Sequence, residues 1–326
     1  MRIIRTHKKC HATHRAQMKL NTMPMPTITV IIPNLNHGRY LERAICSAID
    51  QDYAPLQLII IDGNSTDNSR SIIKRYQEHI AFWSSTPDSG IAHALNQGLK
   101  RATGKIITCL PSNQVMLPHT LNLAAKLMSG PNPKKWIAGH QELTDATDQT
   151  IGQIASSLPE NHLSYIQRDS GYLPLAGTFY HRDLLNQNTI FDTYLHFNYA
   201  FDLHARLFAA GHQPHLIKKN LTASRYQPQT QSPLQTIQKG TEQIQIAEQF
   251  ANQIHGKQKQ ILLQNCDKRR RIYVLAQAEI YGNNAKTYLR KELFKHPQWL
   301  NDKSFRDLLA HGVKHPLTQQ QLRKAA

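Results

Sequence analysis

Asp62-Gly63-Asn64-Ser65-Thr66-Asp67 follows directly on the apolar run Leu58-Ile59-Ile60-Ile61. A carboxylate at the end of a buried strand in an open α/β sheet faces the crevice where such sheets bind nucleotides. It can accept hydrogen bonds there from a base N–H or a ribose hydroxyl, because Ser65, Thr66 and Asp67 already supply helix caps. Pro33-Asn34-Leu35-Asn36 closes a neighbouring apolar run and turns its backbone toward the same crevice. Pro87-Asp88-Ser89-Gly90 opens a helix whose free N–H groups suit a diphosphate, although Asp88 and Ser89 equally suit plain capping. Asn96 and Gly98 lie further along that helix. Asp202 and Arg206 stand at i and i+4 on one helix face, a spacing that serves a surface ion pair or a functional carboxylate.

The elements that must position these residues alternate. Thr27–Ile32, Leu56–Ile61, Ile80–Ser84 and Ile106–Leu110 read as strands, and Gly38–Asp50, Asp67–Glu78, Ser89–Ala102 and Pro118–Met128 as helices. Leu56–Ile61 is apolar except for Gln57, the pattern of a strand covered on both faces. Such alternation predicts an α/β fold: a mainly parallel sheet, joined by right-handed crossovers, with helices on both faces. Beyond about residue 135 the rhythm loosens. Short strands are expected at Trp136–Gly139, Ile151–Ala155 and Thr178–His181, and a helix at Tyr199–Ala210. From about Thr236 the pattern turns to stacked helices at Gln243–Gln253, Asp267–Tyr281, Asn284–Phe294 and Ser304–His311, with Asp267 placed at a helix N-terminus. The domains expected are a disordered basic tail over 1–26, an α/β domain over 27–230 and a C-terminal helical region over 231–326.

The chain has 326 residues and a net charge of +17, with 18 histidines besides. That charge fits a basic soluble surface or attraction to an anionic membrane face. It also fits nucleic acid, but no zinc finger, RNA-recognition signature or KH loop accompanies it. The run Lys268-Arg269-Arg270-Arg271 reads first as a solvated helix face. No stretch approaches the length of a membrane span, and the first 26 residues lack the hydrophobic core of a signal peptide. Met18, Met23 and Met25 offer later starts. The four cysteines form no CxxC pair, which points to a reducing cytoplasm.

In order and spacing, these stretches resemble the nucleotide-binding half of a family 2 glycosyltransferase with the GT-A fold. They are Thr-Val-Ile-Ile-Pro-x-x-Asn at 29–36, Ala-Ile-x-Ser-x-x-x-Gln-x-Tyr at 44–53, Asp-Gly-x-Ser-Thr-Asp at 62–67, Asp-Ser-Gly-Ile at 88–91, Asn-x-Gly at 96–98 and Ala-Thr-Gly at 102–104. A looser match runs through Gly177-Thr178-Phe179, Phe191-Asp192, Asp202 to Arg206, and Arg225. The resemblance implies a nucleotide-sugar donor, usually UDP-linked, an acceptor hydroxyl on a glycan or glycolipid, and inversion at the anomeric carbon. It implies that Asp62 contacts uracil, that Pro33–Asn36 line the nucleoside pocket and that Asp202 is the catalytic base. The donor-binding set expected, from the resemblance together with the departures described next, is Pro33, Asn36, Asp62, Asp88, His93, Asn96, Asn113, Arg206 and Arg225. A cytoplasmic protein, peripheral at the inner face of the membrane, is the setting expected.

Two departures from the family pattern stand out. Where the family carries an acidic pair that holds Mn²⁺ or Mg²⁺, this chain has Ser112-Asn113-Gln114, and where it often carries Asp, this chain has His93. Hard cations favour carboxylates, so Asn113 is only a weak candidate ligand. Cationic His93, Arg206 and Arg225 could take the metal's place at the departing diphosphate, or the donor's diphosphate could itself hold a weak metal with Asn113 and Asp88. The alternative is a catalytically inactive relative that binds a sugar nucleotide or scaffolds a partner.

Overall fold

The computed structural model describes residues 25–167, 173–185, 190–226 and 232–311. Most of the basic tail expected over 1–26, and the expected boundary at 230, lie outside them. Among the described residues the chain divides into an α/β unit (up to His162, and 173–226) and a helical unit (163–167 and 232–311).

In chain order the α/β unit holds β1 (Ile28–Asn34), α1 (Gly38–Ile49), β2 (Leu56–Asp62), α2 (Ser69–Arg75), β3 (Phe82–Ser85), α3 (Ile91–Arg101), β4 (Ile106–Cys109), β5 (Gln114–Met116), α4 (Thr120–Ser129), β6 (Trp136–Thr144) and β7 (Thr150–Ile154). Helix α5 (His162–Gln167) belongs, from residue 163 on, to the helical unit. Then follow β8 (Thr178–His181), α6 (Tyr199–Ala209) and β9 (His215–Arg225). One sheet runs in the order β3-β2-β1-β4-β8-β6-β9-β5, with β7 paired to β6. It is parallel from β3 to β4. Beyond that β8 is antiparallel to both neighbours, β9 is parallel to β6, and β5 is antiparallel to β9.

Every residue of β1 is buried, because helices cover both faces. Ile28, Val30 and Ile32 share one core with Leu41, Ala44, Ile45 and Ala48 of α1 and Ile72 and Ile73 of α2. Ile31 meets α3 on the opposite face, where a Cβ on Gly98 would stand 2.4 Å from the Ile31 Cγ2. Only glycine allows that approach. Strand register then aligns the strand ends: Asn34 pairs with Asp62, and Asp62 with Ser85. Three polar side chains thus meet in a row at the carboxyl edge of the sheet.

Strands β5 and β9 were not legible in the sequence. In β9 the alternation is broken at Lys218-Lys219, where the pairing with β6 shifts register beside Gly139 and His140.

The helical unit contains α7 (Pro233–Ala251), α8 (Gly256–Tyr281), α9 (Ala285–Lys295) and α10 (Lys303–His311). Ser232 and Gln235 form a reciprocal capping box at the start of α7. Asp267 lies mid-helix rather than at a helix start, because α8 begins at Gly256. Its Oδ1 accepts the Trp299 indole N–H at 2.8 Å. The basic run is largely engaged within the unit: Arg269 reaches Gln243, Arg270 pairs with Glu248 and Arg271 with Asp302. Val274, Ala278, Leu289, Leu293, Trp299 and Phe305 form its core.

Candidate active site

The loops after β1 and β2 are stitched together around Asp62. This carboxylate is 0% exposed. Its Oδ1 accepts Asn34 Nδ2 at 2.7 Å and the Ser65 hydroxyl, and its Oδ2 accepts Ser65 N–H at 2.9 Å and the Ser85 hydroxyl at 2.6 Å. Four donors fill the lone pairs of a carboxylate. All four donors come from the ends of β1 and β3 and from the loop after β2, so the carboxylate is enclosed by the protein itself, and the contact to a base expected of it would require one of these donors to give way. Ser85 also accepts from Arg70 Nε at 2.8 Å, and Arg70 reaches Asn64.

The rim above is fixed in the same way. Ser65 Oγ accepts from Asn36 N–H at 2.8 Å, and Asn36 Oδ1 accepts from Thr66 N–H at 2.8 Å. Asp67 Oδ2 accepts from Gly38 N–H at 2.8 Å. Asn36 itself is exposed with φ +53°, whereas Pro33 is buried in β1. Asp88 lies against Gly63, where a Cβ would come within 2.9 Å of Oδ2. Its Oδ1 accepts from Gly90 N–H at 2.9 Å, at the start of α3. His93, on the first turn of α3, is half-buried beside Gln97.

The turn after β4 does not fit a hard divalent cation. Ser112 Oγ is bonded to His37 Nδ1 at 3.1 Å, and Gln114 Oε1 accepts from Gln141 Nε2 at 2.8 Å. Asn113 alone keeps a neutral amide for a ligand, with no carboxylate at the turn. Among the described residues no group of three His, Cys, Asp or Glu side chains could hold a metal ion. Partial burial of the His37 ring outweighs the pull of Asp67 and lowers its pKa, which favours the neutral imidazole.

Helix α6 carries Asp202, the other candidate carboxylate. Asp202 is 4% exposed. Arg206 holds its Oδ2 through Nε at 2.9 Å and through a terminal nitrogen at 2.7 Å, and no hydrogen bond to Oδ1 is seen among the described residues. Burial raises the Asp202 pKa and nearby Asp192 adds to that, with Arg206 working against both. Arg206 also donates to the Ile190 carbonyl. Arg206 thus links Asp202 to the segment before Asp192.

Asn96 and Arg225 are likewise engaged within the fold. Asn96 is buried, with its amide bonded on both sides to the Phe191 backbone. Arg225 pairs with Asp148, which also takes Arg43 at 3.0 Å, and it lies over the Tyr40 ring at 5.7 Å. Burial works to raise the Asp148 pKa, but the hydrogen bonds from Arg225 and Arg43 outweigh it and hold the pKa down. Beneath α6, His204 is fully buried against Trp136 with Nε2 at 2.6 Å from the Tyr180 hydroxyl. Burial pushes its pKa down to about 3.

Sequence reasoning missed His37, Ser85, Arg70, Asp148 and Asp192 as parts of this constellation. Only Asp192 left a trace, next to Phe191 in the looser match.

The family model for glycosyl transferase family 2 matches residues 29–189. Residues 29–189 carry a family 2 glycosyl transferase domain. An uncharacterized glycosyltransferase of Nostoc is 30% identical over 175 residues, covering 49% of this chain and 52% of that protein. A Bacillus subtilis protein named as a putative teichuronic acid biosynthesis glycosyltransferase is 33% identical over 93 residues, covering 27% of this chain and 36% of its own length. The chain thus spans about half, or less, of these curated relatives. The crystal structure of S. aureus TarS 1-349 in complex with UDP-GlcNAc aligns with a TM-score of 0.54 at 17% identity, over 87% of this chain and 81% of that one. At that identity the match speaks for the fold, and the family 2 domain has the GT-A-like architecture its motifs implied.

Proposed function

We propose that this chain is an inverting glycosyltransferase that moves a sugar from a UDP-linked donor to a hydroxyl on a glycan or glycolipid acceptor. The observation that carries this reading is Asp202. Its Oδ2 is fixed by Arg206, and among the described residues none donates to its Oδ1. Burial makes it a better proton acceptor than an ordinary carboxylate, as a general base requires.

In this reading Oδ1 takes the proton of the acceptor hydroxyl as that oxygen attacks the anomeric carbon. The bond from that carbon to the diphosphate oxygen breaks, and the nucleoside diphosphate leaves with the bonding pair. One displacement inverts the centre. Asn36 and the loop floored by Asp62 hold the nucleoside, and Asp88, His93 and Asn113 face the diphosphate. The UDP-GlcNAc bound by TarS supports the donor class, and the name of the Bacillus relative supports a cell-surface glycan as acceptor.

The test is a donor-hydrolysis and transfer screen over nucleotide sugars with the unaltered chain and Asp202→Asn. The variant should lose at least about 100-fold in turnover while keeping nucleotide affinity. Undiminished turnover in the variant would remove Asp202 from the role. The neutral Ser112–Gln114 turn favours a second reading, a sugar-nucleotide-binding protein without transfer. Nucleotide binding with no turnover on any donor would select it.

A further inference from the structure

Helix α9 has one closed edge and one open one. Ala285, Leu289 and Leu293 are buried in the core of the helical unit. At 3.6 residues per turn, Phe294 projects from the opposite side, and it is 91% exposed. The other exposed positions on α9 are Lys286, Thr287, Arg290, Lys291 and Lys295, which flank Phe294 on both sides. Cations therefore surround the aromatic ring, and no carboxylate shares this face. The one acid of the helix, Glu292, sits toward the closed edge with its side chain 15% exposed, bonded to Lys295 at 2.7 Å.

A face kept only for solubility mixes both signs and leaves large rings inside. Here a single sign of charge surrounds a lone projecting aromatic, which pairs a ring able to enter a bilayer interface with cations that match anionic headgroups. Lysine and arginine stems can lie along the acyl boundary while their charged heads reach lipid phosphates.

We propose that the outer face of α9 docks this chain on an anionic lipid bilayer. Phe294 enters the headgroup boundary, and Lys286, Arg290, Lys291 and Lys295 meet the lipid phosphates. The attachment is reversible and weakens with salt. No described helix is long and apolar enough to cross a membrane, so this face lies on the bilayer rather than spanning it. The proposal does not depend on glycosyl transfer.

The experiment is flotation of the full chain with phosphatidylcholine vesicles and with vesicles that also contain phosphatidylglycerol. The chain should float with the anionic vesicles alone and be released by added salt. Phe294→Ser should weaken binding about tenfold, and Arg290→Glu with Lys291→Glu should weaken it further. Both variants alter exposed side chains, so an unchanged melting temperature confirms that they fold. Phe294→Trp adds a direct reading: its emission should move to shorter wavelength on anionic vesicles. Equal recovery on both vesicle types, full binding by Phe294→Ser, or an unshifted emission would each overturn the proposal. Loss of self-association in Phe294→Ser without any vesicle binding would also overturn it and assign the face to a second copy of the chain.

Discussion

Asn96 grips the backbone of Phe191 from both directions: Nδ2 donates to the Phe191 carbonyl at 2.8 Å, and Oδ1 accepts from the Phe191 N–H at 3.0 Å. The two residues lie 95 positions apart. This double bond pair joins α3 to the segment that Arg206 holds at Ile190 and that brings Asp192 within electrostatic reach of Asp202. Asn96→Leu leaves both buried backbone groups without partners, at about 1–3 kcal/mol each. We expect a denaturant midpoint lowered to match, and turnover reduced with nucleoside affinity kept, because the loops after β1 and β2 lie elsewhere. Stability held at the unaltered level would show that water replaces the amide.

That relationship also marks what the sequence could and could not disclose. Strands β1 and β2 were legible because both faces are buried, so their apolar runs are unbroken. The Asp62 loop was legible for its position at a strand end. Its burial was not, because the donors that enclose it come from three strand ends, and only register brings Asn34 and Ser85 to it. Arg225 read as a free cation because Asp148, its partner, sits in a hairpin turn 77 positions away. Composition reports charge, and pairing across the fold decides how much of it is free.

Asp62→Asn places an amide where Asn34, Ser65 and Ser85 all donate, so donor faces donor. The loss should be about 3 kcal/mol of stability. Nucleotide binding should weaken for every base alike, since the whole floor of the crevice loosens. A variant of unaltered stability that merely changed its preference among UDP, CDP and GDP would show that the carboxylate reads the base directly.

At the turn after β4, Ser112 is held by His37 and Gln114 by Gln141. Calorimetry with UDP should therefore give the same affinity in Mn²⁺ as in chelator. Ser112→Asp together with Asn113→Asp supplies the hard, charged oxygens that such ions favour. In that variant Mn²⁺ should tighten UDP binding by at least about tenfold. Strong Mn²⁺ dependence in the unaltered chain would contradict the account of this turn.

His204 makes stability depend on pH with a definite sign. Its folded pKa is about 3, against an ordinary value of 6.5. The folded state keeps the ring neutral while the unfolded chain takes up a proton, so this contribution is complete above 6.5 and drains away as the pH falls toward about 3. Its slope cannot exceed about 1.4 kcal/mol per pH unit for one proton. Asp202 acts in the opposite direction: its raised folded pKa means that protonation on acidification favours the folded state. Denaturant midpoints followed across this range should fall less steeply for His204→Gln than for the unaltered chain. The slopes, rather than the absolute values, carry the comparison, because the substitution also alters the bond to the Tyr180 hydroxyl. Parallel curves would mean that His204 accepts its proton within the fold, and that the ring is not sealed beneath α6.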